Sequence, residues 1–168
     1  KTSAELSKQP QGYQDGYNAA YKTAHTSYDT DEATGVADGT ATGLAGKTKA
    51  DLTGKSTGYI KGYTSGYAAG QTAYNTENTA GTKAGSADGL AGKAPANLTG
   101  ESQGYQDGYT AAYATAHTSY DTDYQVGQAA GQTDGTTNKT ADNTKQTAGY
   151  QAGYQDGHQT GEQLYNTA

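Results

Sequence analysis

Small and aromatic residues alternate along this chain with a period of four. Over residues 12–28 a glycine or alanine followed by a tyrosine or histidine recurs at every fourth position, and this ladder ends at Tyr28. A period of four is incompatible with the two-residue alternation of a strand and is close to the 3.6 residues of a helical turn. The pattern therefore predicts helices, with the small residues and the aromatic residues on adjacent faces.

The same ladder returns after 46 residues. Residues 103–123 restate residues 11–31 with only two differences, Thr110 for Asn18 and Ala114 for Lys22, and a fourth, truncated copy is shifted by one residue. Self-similarity at a fixed period of this length is typical of repeat architectures. The predicted repeats are residues 1–46, 47–92 and 93–138, with an incomplete fourth repeat at 139–168.

The small residues of the ladder are expected to let two helix backbones approach closely, so that each tyrosine ring lies across its neighbour's bare backbone. A glycine inside a helix costs roughly 0.5 to 1 kcal/mol relative to alanine, so these helices should form only when packed. The ring of the second tyrosine in each ladder is predicted to be buried, with its hydroxyl near an edge. The residues assigned to this packing are Gly12, Tyr13, Gly16, Tyr17, Tyr21, Gly58, Tyr59, Gly62, Tyr63, Tyr67, Gly104, Tyr105, Gly108, Tyr109, Tyr113, Gly149, Tyr150, Gly153 and Tyr154.

A second ladder, of glycine alone, follows the first at half the repeat length. In the first repeat it consists of Gly35, Gly39 and Gly43, and the step from Gly12 to Gly35 is 23 residues. We therefore predict an all-α repeat array of antiparallel helices, with a tyrosine-rich A helix and a glycine-rich B helix in each repeat. Capping side chains are expected between them, at residues 29–31, 75–77 and 121–123. The predicted A helices lie near 10–28, 56–74, 102–120 and 146–165, and the predicted B helices near 32–45, 78–91 and 124–136.

The chain has too few large apolar residues to form an ordinary hydrophobic core. The 168 residues include 16 tyrosines but no cysteine, methionine, tryptophan or phenylalanine, and only 32% are hydrophobic. Hydrophobicity this low is close to that of disordered chains, but a strict period predicts order. A net charge of −6 without a basic patch argues against nucleic-acid binding, and no apolar run is long enough to span a membrane. The lack of cysteine excludes disulfides and thiol chemistry.

The histidines are the first candidates for chemistry at neutral pH. His25 and His117 occupy the same slot of the repeat, but the second repeat has Gln71 there, and His158 occupies a tyrosine slot. A catalytic imidazole would not exchange with glutamine. Packing or capping is therefore the favoured role.

Other motifs are weaker still. The cluster of Asp29, Asp31 and Glu32 begins like a calcium loop but lacks the central glycine and the distant glutamate, so we interpret it as helix capping. The glycine-rich strings at 39–47 and 85–93 keep the helical spacing and follow no predicted strand, unlike a phosphate-binding loop. The glycosylation pattern at Asn97 and Asn138 is taken as a chance match. We predict no catalytic, cofactor or metal site, and no enzyme.

Near-identical copies such as QGYQDGY, the connector LTG and the richness in Thr, Gly, Tyr, Ala and Asp resemble the tandem-repeat stalks of cell-wall-anchored surface proteins and adhesins of lactobacilli and related Gram-positive bacteria. The resemblance implies an extracellular spacer, within a longer repeat array, that projects a binding domain from the cell wall. Its partners would be neighbouring repeats of the same chain, and host or cell-surface glycans or proteins would be bound by a domain outside this segment. A weaker likeness is to desiccation proteins of the late-embryogenesis-abundant type, against which the tyrosine content counts.

A binding module is the alternative. Exposed tyrosines could stack on glycans, or rows of threonine and alanine could order water as in an ice-binding protein. Tyrosine burial discriminates between these functions, because a stalk would bury the rings whereas a glycan-binding module would expose coplanar rings.

Overall fold

The structure is a computed structural model that describes residues 2–140, 143–144 and 146–167. All regular elements in these ranges are helices. The described residues therefore confirm the predicted all-α repeat architecture, and the three longest helices are 34 residues each and recur with the 46-residue period. The helices are α1 (Ser3–Leu6), α2 (Gln11–Leu44), α3 (Thr57–Leu90), α4 (Gln103–Thr136) and α5 (Ala148–Thr167).

Each full repeat contributes one continuous long helix, so the predicted break between an A helix and a B helix is wrong. Residues 29–31 lie inside α2 and cap no helix end. The side chains expected to cap are accommodated within the helix, because the hydroxyl of Thr30 donates to the carbonyl of Thr26 at 2.9 Å and His25 lies 2.8 Å from Asp29 one turn away. We keep the two names for halves of a helix: the A halves are residues 11–27, 57–73, 103–119 and 148–164, and the B halves are residues 28–44, 74–90 and 120–136.

The long helices end where the backbone turns left-handed. Gly46 and Gly92 have φ of 65°, and Asn138 takes the same place in the third repeat with φ of 52°. The amide of Lys47 donates to the carbonyl of Thr42 across this turn, the six-to-one hydrogen bond of a Schellman motif. Glycine and asparagine are the residues that adopt this conformation most readily, so the sequence itself fixes each end.

The chain forms two compact units, residues 1–73 and 74–168, which divide α3 at its middle. In the first unit, the B half of α2 packs along the A half of α3. In the second unit, the B half of α3 packs along the A half of α4, and the B half of α4 packs along α5. All three pairings thus join the B half of one repeat to the A half of the next.

The paired halves run parallel, so the predicted antiparallel arrangement is wrong. Gly35 lies against Tyr59 and Tyr63, whereas Gly43, two turns further along α2, lies against Tyr67 and Gln71. Contacting residue numbers therefore increase together on both helices. In a parallel pair the chain must run back along the first helix before the next helix can start. Residues 45–56 form this connection and contain no helix.

Candidate functional site

The principal feature of both units is an interface in which glycines from both helices meet the partner's backbone. In the first unit, a methyl group placed on Gly62 would lie 2.8 Å from the carbonyl carbon of Glu32 and 2.9 Å from the amide nitrogen of Val36. In return, a methyl group on Gly39 would lie 2.8 Å from the amide nitrogen of Tyr67. Carbonyl oxygens of one helix thus face glycine Cα atoms of the other, a geometry that suits weak Cα–H···O contacts. We call this arrangement the glycine interface.

The second unit repeats the glycine interface twice. Gly85 lies against the backbone of Tyr109 while Gly108 lies against that of Asn78. Between α4 and α5, Gly131 lies against Tyr154 and Gly153 lies against Tyr124. The contact is therefore a property of the repeat and does not depend on one local sequence.

Six of the eight glycines assigned to packing lie in this interface, and two do not. Gly12 and Gly16 have no described atom within 4 Å of the position a Cβ would take, and both are exposed. The six that face a preceding B half are Gly58, Gly62, Gly104, Gly108, Gly149 and Gly153.

The second tyrosine of the second, third and fourth ladders is buried, and these three tyrosines and Ala116 are the buried hydrophobic residues of the described chain. Tyr63 and Tyr109 are each 2% exposed and Tyr154 is 3% exposed, whereas Tyr17, in the same slot, is half-buried. The rings stack along the helix, with centroids of Tyr63 and Tyr67 6.2 Å apart. A column of stacked rings thus takes the place of an aliphatic core.

The tyrosine hydroxyls hold the connector that precedes each A half. In the first unit, the hydroxyl of Tyr63 accepts a hydrogen bond from the amide of Ala50 at 3.2 Å, and the hydroxyl of Tyr67 donates to the carbonyl of Lys47 at 3.0 Å. Tyr67 follows Tyr63 along α3, but its partner Lys47 precedes Ala50 in the connector. The connector therefore runs antiparallel to α3. We call this tyrosine-bound connector the return strap.

Histidine replaces tyrosine in the strap contact of the fourth repeat. Nε2 of His158 lies 2.8 Å from the carbonyl oxygen of Lys139, in the place that the hydroxyl of Tyr113 takes against Lys93 at 2.7 Å. A carbonyl only accepts, so Nε2 donates here. His158 therefore has the packing role expected of a histidine in a tyrosine slot.

Tyrosine–carboxylate hydrogen bonds join one helix to the next. Tyr109 donates to Asp88 at 3.0 Å, and Tyr154 donates to Asp134 at 2.9 Å. Burial and the hydrogen bond to Asp88 raise the pKa of Tyr109. The pKa of Asp88 is lowered by its hydrogen bond to Lys93 and then by that to Tyr109. The Lys93 contact thus lies at the end of the same helix as Asp88, whereas the Tyr109 contact crosses to the next helix.

The candidate calcium cluster is divided between two separate contacts. Asp29 pairs with His25 on its own helix, and Glu32 forms an ion pair of 2.9 Å with Lys61 of α3. Within the ranges that the structure describes, no three His, Cys, Asp or Glu side chains are grouped to hold a metal ion. Glu32 serves the contact between helices in place of the capping role that the sequence suggested.

The threonine rows are exposed, but their hydroxyls are directed to the helix backbone. Thr26, Thr30 and Thr34 lie one turn apart and donate to carbonyls four residues earlier at 2.9 to 3.0 Å. Each hydroxyl proton is therefore engaged inside the helix, which leaves only acceptor positions and methyl groups for ordering water.

Three sets of residues were missed in the sequence. The hydroxyls of Ser56, Ser102 and Thr147 accept from the third residue on and cap the A halves. Lysines follow each B half at the constant spacing of 46 residues, and their carbonyls bind the strap tyrosines or His158. Both signals were present in the sequence, as a hydroxyl residue before the second, third and fourth ladders, where the first has Pro10, and as a lysine after each left-handed turn. The third set is the carboxylates bound by tyrosines. Asp88 and Asp134 keep the spacing of 46 residues, but in the first repeat Asp38 lies one helical turn earlier and accepts from Tyr59, so the set has no constant spacing over all three repeats.

No protein-family model, curated protein or solved structure matches the chain. Among the described helices, none has the length and apolar character required to cross a membrane. The glycine interface and the return strap are therefore the features of the molecule that bear on its function.

Proposed function

We propose that this chain is a run of spacer repeats from a bacterial surface protein, whose role is to set the distance between a binding domain and the cell wall. One observation carries the proposal: the B half of one repeat is complementary to the A half of the next, and this pairing occurs three times in the two units. Repeats that bind their neighbours in this way can be added or removed without redesigning a core.

The register of the pairing suits a spacer. Gly58, which holds the place of Gly12 in its own repeat, lies against Tyr28 of α2. The A half of α3 is therefore displaced along α2 by 16 residues relative to the A half of α2, or about 24 Å at 1.5 Å per residue. Each added repeat would contribute length, whereas a bundle of helices in register would add width.

Burial of the ladder tyrosines supports the spacer over the binding module. The rings of Tyr63, Tyr109 and Tyr154 are covered, so they present no face to a glycan. The first repeat alone favours the alternative, because Tyr21 is 60% exposed and stacks on Tyr17 at 6.3 Å with only 14° between the planes. A glycan-binding role would therefore be confined to this ladder, and titration with oligosaccharides while observing Tyr21 tests it.

Small-angle scattering on chains with increasing numbers of repeats tests the spacer. We expect the longest dimension to grow by about 24 Å for each 46-residue repeat. A compact chain of this length would have a radius of gyration of about 15 Å, and a value close to that, with little growth on adding repeats, would refute the proposal. The proposed location is tested separately, by protease treatment of intact cells that carry the protein: surface repeats are cleaved and internal ones are protected.

A further inference from the structure

The first A half carries the same small-residue face as the other three, yet no described residue covers it. Gly12, Gly16, Ala20 and Ala24 are all exposed. In the equivalent slots of α3, Gly58, Gly62, Gly66 and Gly70 are all buried against the preceding B half. The contrast shows that the surface of residues 12–24, which we call the open face, is built like an interface.

The structure also shows what such a face binds. Residues 11–31 repeat residues 103–123 apart from two substitutions, and in α4 the corresponding positions, Thr110 and Ala114, are exposed. The contacting surface is therefore the same in sequence. In α4 it is covered by the B half of α3, residues 74–90, whose backbone lies against Gly104 and Gly108.

We propose that the open face is a docking surface for the B half of a further repeat, a glycine-ladder helix like residues 74–90 bound parallel to α2. Its first tyrosine would lie over Gly12, as Tyr74 lies over Gly104. This inference depends on neither a cell-surface location nor a spacer role.

A polar contact fixes the register of the docked helix. In α4, one oxygen of Asp107 accepts from Gln103 and the other accepts from the hydroxyl of Tyr74, both at 2.7 Å. On the open face, Asp15 accepts from Gln11 at 2.7 Å in the same way. The incoming tyrosine would then donate to the second oxygen of Asp15.

A second copy of this chain offers no B half for the purpose. All three of its glycine ladders already lie against an A half, at Gly35 to Gly43, Gly81 to Gly89 and Gly127 to Gly135. Self-association through the open face would require one of these interfaces to separate first. The occupant is therefore a B half from outside the 168 residues.

The first test adds a capped peptide of residues 74–93 to the full chain and follows the glycine amides by NMR. We expect the resonances of Gly12 and Gly16 to shift saturably, and amide exchange over residues 12–24 to slow by about tenfold or more. The matched controls are the same peptide with Gly81→Leu and Gly85→Leu, and the full chain with Gly16→Leu. Both should abolish the shifts.

The second test tethers the partner, so that a weak affinity of the free peptide does not decide the outcome. Residues 57–102 are placed directly before Gln11 in place of residues 1–10, which reproduces the junction found at Gln103. Amides 12–24 should then become as protected as amides 104–116, and Gly16→Leu should lower the Tm of the tethered chain only.

Protection in the tethered chain supports the proposal even if the free peptide does not bind. The proposal is overturned if amides 12–24 exchange equally fast with and without the tethered segment. It is also overturned if peptide binding is insensitive to Gly16→Leu, or if sedimentation shows that the 168-residue chain covers this face by dimerising. None of these results decides whether added repeats lengthen the molecule, so the spacer proposal is tested independently.

Discussion

Gly62 and Gly16 occupy the same slot of consecutive repeats and should respond to alanine with opposite signs. At Gly62, a methyl group would meet three backbone atoms of α2, including the carbonyl of Glu32 and, at 2.9 Å, the amide nitrogen of Val36. At Gly16, no described atom lies within 4 Å. The pair therefore separates the packing effect from the helix propensity that both positions share.

The two magnitudes follow from that contrast. Replacing a helical glycine with alanine stabilises by about 0.5 to 1 kcal/mol where there is room, and this is the whole effect expected for Gly16→Ala. At Gly62 the obstructing atoms are backbone, which cannot move aside by changing rotamer, so overpacking costs about 1 to 3 kcal/mol. After the propensity gain is subtracted, the net effect of Gly62→Ala is a loss of up to about 2.5 kcal/mol, and Gly62→Leu should lose more.

Thermal melting of the two variants by circular dichroism measures the difference. For a chain of this length 1 kcal/mol corresponds to about 2 to 4 °C. The overpacking cost of about 1 to 3 kcal/mol that separates the two variants should therefore make their Tm values differ by roughly 2 to 12 °C, with the parent chain between them. A Tm that rises for Gly62→Ala would refute the close approach of the two backbones.

Three further predictions concern the tyrosines, pH and metals. Tyr63→Ala should destabilise the chain by about 3 to 5 kcal/mol because it removes a buried ring. Tyr63→Phe should destabilise it by about 0.5 to 1.5 kcal/mol, since it loses only the hydrogen bond from Ala50. Equal melting temperatures for the parent and Tyr63→Ala would exclude a buried ring. Because the pKa of Asp88 is lowered on folding, its contribution to the free energy of unfolding is present above about pH 4 and is lost as the pH falls through the folded-state pKa. Because the pKa of Tyr109 is raised on folding, its contribution is present below about pH 10 and is lost as the pH rises through the folded-state pKa. Melts from pH 2 to 12 should therefore show a plateau with two falling limbs, and Asp88→Asn should reduce the acid limb. Calorimetric titration with calcium and zinc should give no stoichiometric binding, and a tight site that raised the Tm would refute the absence of a metal site.

The helices could be predicted from the sequence because a period of four along 17 residues fits only a helix. The repeat length could be predicted because the same ladder returns after 46 residues. The break within each repeat could not be placed correctly, since Asp29 and Thr30 resemble caps. Such residues cost only a few tenths of a kcal/mol inside a helix, and that cost is smaller than the packing gained when both halves share one axis.

Helix direction was mispredicted because a ladder of small residues looks the same in both directions along its axis. Connector length did carry the information. Twelve residues separate Leu44 from Thr57, more than the two to eight that usually join antiparallel neighbours. A return path beside a helix needs that length, since a displacement of about 24 Å must be covered between the end of one helix and the start of the next.

Parallel pairing explains why glycine and tyrosine occur together in this chain. Close approach of two helices is achieved by glycine, but a parallel pair leaves a long return strap whose amides and carbonyls have no ladder partner. The tyrosines adjacent to the glycines meet this need, because their rings cover the helix and their hydroxyls bind Ala50 and Lys47 of the strap. A phenylalanine ladder would pack as well but leave the strap unbound. The topology therefore favours tyrosine over phenylalanine at the positions that contact the strap, in a chain that has 16 tyrosines and no phenylalanine.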